Sequence, residues 1–137
     1  MDTGVSSSVL FVRGGDRKVL AVTRRDGPGY LLPGGDVAED ETPKICACRA
    51  LYSTVGCLAT PGRLILAHTG VTCYGREMKL YYCCKITGEP RRAGDGVHPH
   101  WLTFEELVKS SPLADFYAAA FPEGVDHLLA GETLVLR

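Results

Sequence analysis

The segment from Thr42 to Gly56 marks both of its own ends, and it places one helix in any fold this chain adopts. Thr42 offers a side-chain oxygen to an unpaired amide of the first turn. Pro43 follows at the first helical position, where a missing N–H removes no bond. Gly56 is a natural left-handed stop. Between them Ala47, Leu51 and Val55 recur every four residues, so the spacing predicts a helix over 44–55 with those three side chains facing a core.

The flanking sequence supplies strands for that stripe to pack on. Residues 5–12 and 18–23 are rich in β-branched and apolar residues, and Gly14-Gly15-Asp16 between them reads as a hairpin turn. Tyr30-Leu31-Leu32 is a short strand broken by Pro33-Gly34-Gly35. Residues 64–68 and 78–86 read as strands separated by the turn-prone Tyr74-Gly75-Arg76-Glu77. Residues 88–96 form a polar loop. His100-Trp101-Leu102 is a strand leading to Thr103 and Glu106, whose spacing is that of a capping box and starts a second helix near Leu107. Residues 114–121 are a third helical candidate ended by Pro122, and residues 134–137 are an added strand or a loose end. This alternation predicts a mixed α/β sandwich, of the α+β kind.

At 137 residues the chain has the length of one domain, with no repeat or low-complexity tract. We expect a single domain over 1–137, with a core at about 6–121 and a C-terminal extension at 122–137. A formal net charge of -1, from 15 basic and 16 acidic residues, argues against general capture of nucleic acid or an anionic membrane. It leaves room for one local basic pocket. No apolar run reaches the roughly 20 residues that span a bilayer. The N-terminal residues lack a basic and then apolar leader, so the expected location is intracellular, cytoplasmic or nuclear, rather than secreted.

Six cysteines do not form a disulfide pattern. Cys46 and Cys48 are two apart on a helix, and Cys83 and Cys84 are adjacent on a strand, so each pair points to different sides. Free and mostly buried thiols are expected, and no paired Cys-x2-Cys spacing suggests structural zinc.

Gly35, Glu41, Arg49, Leu51, Gly56 and Cys57 fall on the pattern G-x5-E-x7-R-E-U-x-E-E-x-G-U, in which U is aliphatic. In this pattern the chain resembles the Nudix hydrolases. Tyr30 to Gly35 is similar to the family's approach to that motif, and Trp101 to Leu107 to its closing strand and helix. The resemblance spans about 6–121 and implies the Nudix fold, an α/β/α sandwich with a mixed central sheet. It also implies a pyrophosphohydrolase activity on nucleoside diphosphates linked to another group, with Mg²⁺ or Mn²⁺ as cofactor.

Three positions depart from the pattern: Ala50, Ser53 and Thr54 stand where the family has glutamates. Spaced i, i+3, i+4, they share one face of the helix. In active relatives that face presents carboxylates to the metal. Hard divalent cations want charged oxygen ligands, and a methyl with two hydroxyls is a poor set. Metal assistance lowers the pKa of a bound water and neutralises charge on the leaving oxygens, so both effects fade together. Glu41 remains as a metal ligand or a loop anchor, paired with Arg49. Asp36, Glu39, Asp40 and Glu77 offer a displaced set.

Substrate-binding candidates are Arg24, Gly34, Gly35 and Arg91. Arg24 and Arg25 lie where the family often contacts substrate, or form a solvated strand end. Arg91 and Arg92 with His98 and His100 form a cationic rim or an ordinary soluble loop. Of Tyr81 and Tyr82, one is expected in the core and the other at the cleft or in sheet packing. Trp101 is expected to anchor the core edge. Three readings follow. The first is a Nudix domain with impaired or absent hydrolysis that binds a nucleotide or a protein partner. The second is an active metal-dependent hydrolase with displaced ligands, and the third a protein-interaction module without a small ligand.

Overall fold

Strand edges decide the architecture. β1 (Val5–Leu10) has neighbours on both sides, antiparallel β4 (Gly34–Asp36) and parallel β6 (Gly75–Thr87). β6 continues to antiparallel β5 (Leu58–Thr72), and β5 to parallel β8 (Leu134–Leu136). These five form one mixed sheet in the order β4-β1-β6-β5-β8. A second, antiparallel sheet has the order β3 (Tyr30–Leu31), β2 (Val19–Thr23), β7 (Pro99–Leu102). The computed structural model describes residues 4–13, 15–23, 29–72, 75–92, 97–110 and 134–136. The candidate helix at 114–121 lies outside them.

The hairpin expected between the first two strands is only half present. The chain does reverse: the Arg13 N–H donates to the Lys18 carbonyl at 2.8 Å, and Val12 bridges Val19. Beyond that turn β1 and β2 part into different sheets. Both hydrogen-bonding edges of β1 are already taken by β4 and β6, so β2 has no edge left to join.

The long hairpin also differs from expectation. Pairing runs from Leu58↔Thr87 to Thr72↔Gly75, well beyond the apolar stretches, and takes in the Gly75 to Glu77 segment expected as a turn. Antiparallel backbone pairing needs no apolar side chain, so polar ends can continue the ladder. Register shifts between Leu64 and Leu66, where Ile65 is the extra residue on its strand. As a result the consecutive Ile65 and Leu66 both enter the same core. Residues 134–136 take the added-strand alternative.

α1 (Pro43–Val55) begins and ends as its sequence dictates, while α2 (Phe104–Ser110) starts directly after Thr103, three residues ahead of Leu107. Thr42 Oγ1 accepts from the Ile45 N–H at 3.2 Å, and Gly56 closes α1 at φ 73°. Thr103 and Glu106 exchange reciprocal bonds of 3.0 and 3.1 Å at the start of α2.

Alternate strand residues feed two cores. Val19 and Ala21 join Leu10, Tyr81 and Leu107 of α2 on one side. Leu20 and Val22 join Val9, Leu80 and the α1 stripe Ala47, Leu51 and Val55 on the other. All three stripe residues are completely buried. The strands therefore lie between the two helices as an α/β/α sandwich. Tyr81 and Tyr82 are both buried, one in each core, so neither serves the cleft. No helix among the described residues is long and apolar enough to cross a membrane.

Candidate functional site

α1 carries Arg49, Ala50, Ser53 and Thr54 to the wall of a cleft of about 330 Å³. Gly34 and Gly35 of β4 form the adjacent wall, with a Cβ built on Gly35 coming 3.5 Å from that of Ala50. A Cβ on Gly34 would stand 2.5 Å from the Ser7 carbonyl, so the strand passes there only as glycine. Val22, Leu31, Leu32 and Val97 supply an apolar side that sequence reasoning did not single out. Leu31 and Leu32 carried a signal, as the apolar run that stops at Pro33, but Val97 carried none.

The loop between β4 and α1 is fastened by one ion pair. Arg49 Nε and Nη2 donate to the two carboxylate oxygens of Glu41 at 3.0 and 2.7 Å, and Nη2 also reaches the Asp36 carbonyl at 3.1 Å. The Ala38 N–H donates to Glu41 Oε1 at 2.9 Å. The Arg49 guanidinium above all, and then the Ala38 N–H, hold the Glu41 carboxyl down at about 2, and the Glu41 carboxylate in turn raises Arg49 above its ordinary value. Glu41 is not among the residues lining the cleft; it stands behind Arg49, which is. Arg49 Nη1 carries no hydrogen bond among the described residues. Burial pushes the Cys46 thiol, which donates to the Gly35 carbonyl, up to about 11.

The hydroxyls of Ser53 and Thr54 donate back to the Ala50 carbonyl at 3.1 and 2.7 Å. Their protons are spent on the helix, and only neutral oxygen lone pairs face the cleft. Arg49 is the sole ionised side chain in the described lining, and no carboxylate is there. Among the described residues no group of three His, Cys, Asp or Glu converges in a way that would hold a metal ion. Asp36 and Glu77 do meet, but beside Lys79 at a separate recess of about 50 Å³. Glu39 and Asp40 are exposed. This donor set does not fit a divalent cation in the cleft.

Arg91 lies elsewhere. Its N–H caps the Val55 carbonyl at 2.8 Å and its side chain covers Gly56, where a positive charge suits a helix C-terminus. His100 rests edge-on against Tyr30 at 4.9 Å, and His98 is held through its N–H on Thr23 Oγ1 at 2.9 Å. None of these three lines the cleft, so the expected cationic rim is not assembled there. Arg24 and Arg25 lie outside the described residues, as does Cys73. The other five thiols are free, two buried and three partly exposed, so the expectation of mostly buried thiols holds only in part.

A family model described as the NUDIX domain matches residues 2–123. A MutT-like protein of Streptomyces ambofaciens is 29% identical over 111 residues, which are 81% of this chain and 70% of that protein. A MutT NUDIX hydrolase of Burkholderia pseudomallei is similar in structure at a TM-score of 0.70, with 20% identity over 85% of this chain and 95% of its own. An ADP-ribose pyrophosphatase of Streptococcus suis gives a TM-score of 0.72, with 14% identity over 97% of this chain and 98% of its own.

Proposed function

This chain belongs to the NUDIX domain family, and from that premise we propose that it keeps the cleft as a binding site for nucleoside diphosphate derivatives while hydrolysis is lost or very weak. One observation carries the reading: the cleft wall that bears carboxylates in the family pattern here bears the Ala50 methyl and two hydroxyls bonded to their own helix.

Each residue then has a stated part. Arg49 offers Nη1 to a phosphate oxygen while Glu41 and the Asp36 carbonyl fix the rest of its fork. Gly34 and Gly35 let a ligand approach the β4 backbone. The apolar side of Val22, Leu31, Leu32 and Val97 takes the uncharged part of the ligand. A divalent cation in a relative supplies an activated water and neutralises the diphosphate. No side chain in the described lining replaces either effect. Arg49, though already paired with Glu41, is the one charged donor in the described lining, and its remaining N–H groups suit a phosphate oxygen without a metal.

The test is calorimetric titration with a panel that starts from ADP-ribose, the substrate class of the Streptococcus suis neighbour. Each compound is measured once with EDTA and once with Mg²⁺ or Mn²⁺, and product is followed in parallel. Binding that survives EDTA, with no turnover in either metal, is the expected result. Robust turnover abolished by EDTA would reinstate a metal-dependent hydrolase. In that case Glu41→Gln should remove the activity if Glu41 is the ligand. Absence of binding to every compound would leave the interaction-module reading.

A further inference from the structure

On the far side of the α1 C-terminus the structure holds a second cleft, of about 420 Å³, that shares no lining residue with the first. Its size falls in the range of small-ligand sites, roughly 300–1,000 Å³. Phe11 and Trp101 meet there edge to face, with ring centroids 5.9 Å apart. The Arg13 guanidinium lies over the Trp101 ring, its central carbon 4.3 Å from the ring centroid. Asp16 holds that guanidinium at Nε, 3.0 Å, and at Nη2, so the plane is fixed before anything binds.

The opposite side of this cleft is also fixed. Gly88 adopts φ 93°, and its carbonyl accepts from the Cys57 thiol at 3.7 Å. Three residues on, the Arg91 N–H is tied to the end of α1. The intervening Glu89 and Pro90 are thereby held across from Arg13 and Trp101, with Ile86 as an apolar floor. The Glu89 carboxylate is exposed and acts on the Arg13 guanidinium through its charge, without a hydrogen bond among the described residues.

We infer that this second cleft binds a purine base of the guanine type. The base stacks on the outer face of Arg13, which is itself stacked on Trp101, and its adjacent N–H groups donate to Glu89. Guanidinium planes stack well on heterocyclic bases. A carboxylate has two acceptor oxygens side by side, and guanine offers two neighbouring donors, N1–H and the 2-amino group, where adenine offers only its amino group. Neither the phosphate nor the first cleft enters this recognition, so the inference stands whether or not the preceding reading holds.

Trp101 is the sole tryptophan of the chain, so its fluorescence reads this cleft directly. The experiment titrates the full chain with guanosine, a nucleoside without phosphate, and with adenosine as comparison. Affinities are confirmed by calorimetry. Saturable quenching by guanosine, with tighter binding than adenosine, is expected. Glu89→Gln should weaken guanosine by about tenfold or more, because a charged acceptor is lost, while adenosine changes little. Glu89 is exposed, so the variant should fold as the parent does, which far-UV circular dichroism checks. No saturable change in Trp101 emission, or guanosine affinity equal in the parent and Glu89→Gln, would overturn the inference.

Discussion

Glu41 and Arg49 make the tightest ion pair in the candidate site, and its sign with pH follows from the carboxylate. The Glu41 carboxyl sits near 2 in the fold against 4.5 for the free side chain. A depressed folded value means that the pair contributes stability fully above about 4.5, and that this contribution disappears as pH falls through about 2. Glu41→Gln should therefore lower the melting temperature at pH 7. The gap between parent and variant should narrow steadily below pH 4.5, measured by thermal denaturation at a series of pH values. A gap that stays constant down to pH 2 would mean that the pair does not stabilise the fold. The same pair pins the β4–α1 loop, with or without chemistry in the cleft.

α1 is the element that joins fold to site, because one of its faces makes a core and another makes the cleft wall. Its ends and its stripe contribute separately. Thr42→Ala removes the N-cap acceptor and should cost about 1 kcal/mol. Gly56→Ala puts a Cβ at φ 73° and 2.8 Å from Arg91 Nε, costing about 1–2 kcal/mol for the left-handed backbone alone. Leu51→Ala empties a fully buried position in the α1 core and should cost roughly 2–5 kcal/mol. Urea unfolding with an unchanged m-value checks all three. The expected order is Leu51 first, then Gly56, then Thr42, and a Leu51→Ala loss below that of Thr42→Ala would contradict the packing described.

At the scale of the whole molecule, ligand binding and metal response separate the proposed function from its rivals. A nucleotide at a hundredfold its Kd should add about 2.7 kcal/mol to unfolding stability, and should do so in EDTA. Mg²⁺ alone should leave the parent's melting temperature unchanged. The triple variant Ala50→Glu, Ser53→Glu, Thr54→Glu should behave in the opposite way. Three like charges on one helix face lower its stability, Ala50 is buried, and Mg²⁺ should restore part of the loss and bring measurable hydrolysis. A triple variant that folds but shows neither Mg²⁺ stabilisation nor turnover would mean that the cleft has changed beyond those three positions.

The sequence by itself determined what depends on near neighbours in the chain. The caps at Thr42, Gly56 and Thr103 and the core stripe of α1 all follow from groups a few residues apart, while the spacing from Gly35 to Cys57 carried the resemblance to the family. Helical hydrogen bonds and periodicity act over that distance. Only the tertiary structure decided what depends on strand edges and distant walls. It sent β1 and β2 to different sheets because β1 had no free edge, and it buried Tyr81 and Tyr82 on opposite faces of one sheet. It also set Arg91 over the end of α1 and brought Val22, Leu31 and Val97 to face Ser53. Those placements are set by which surfaces remain unpaired once every other strand and helix has docked, and no local pattern records that outcome.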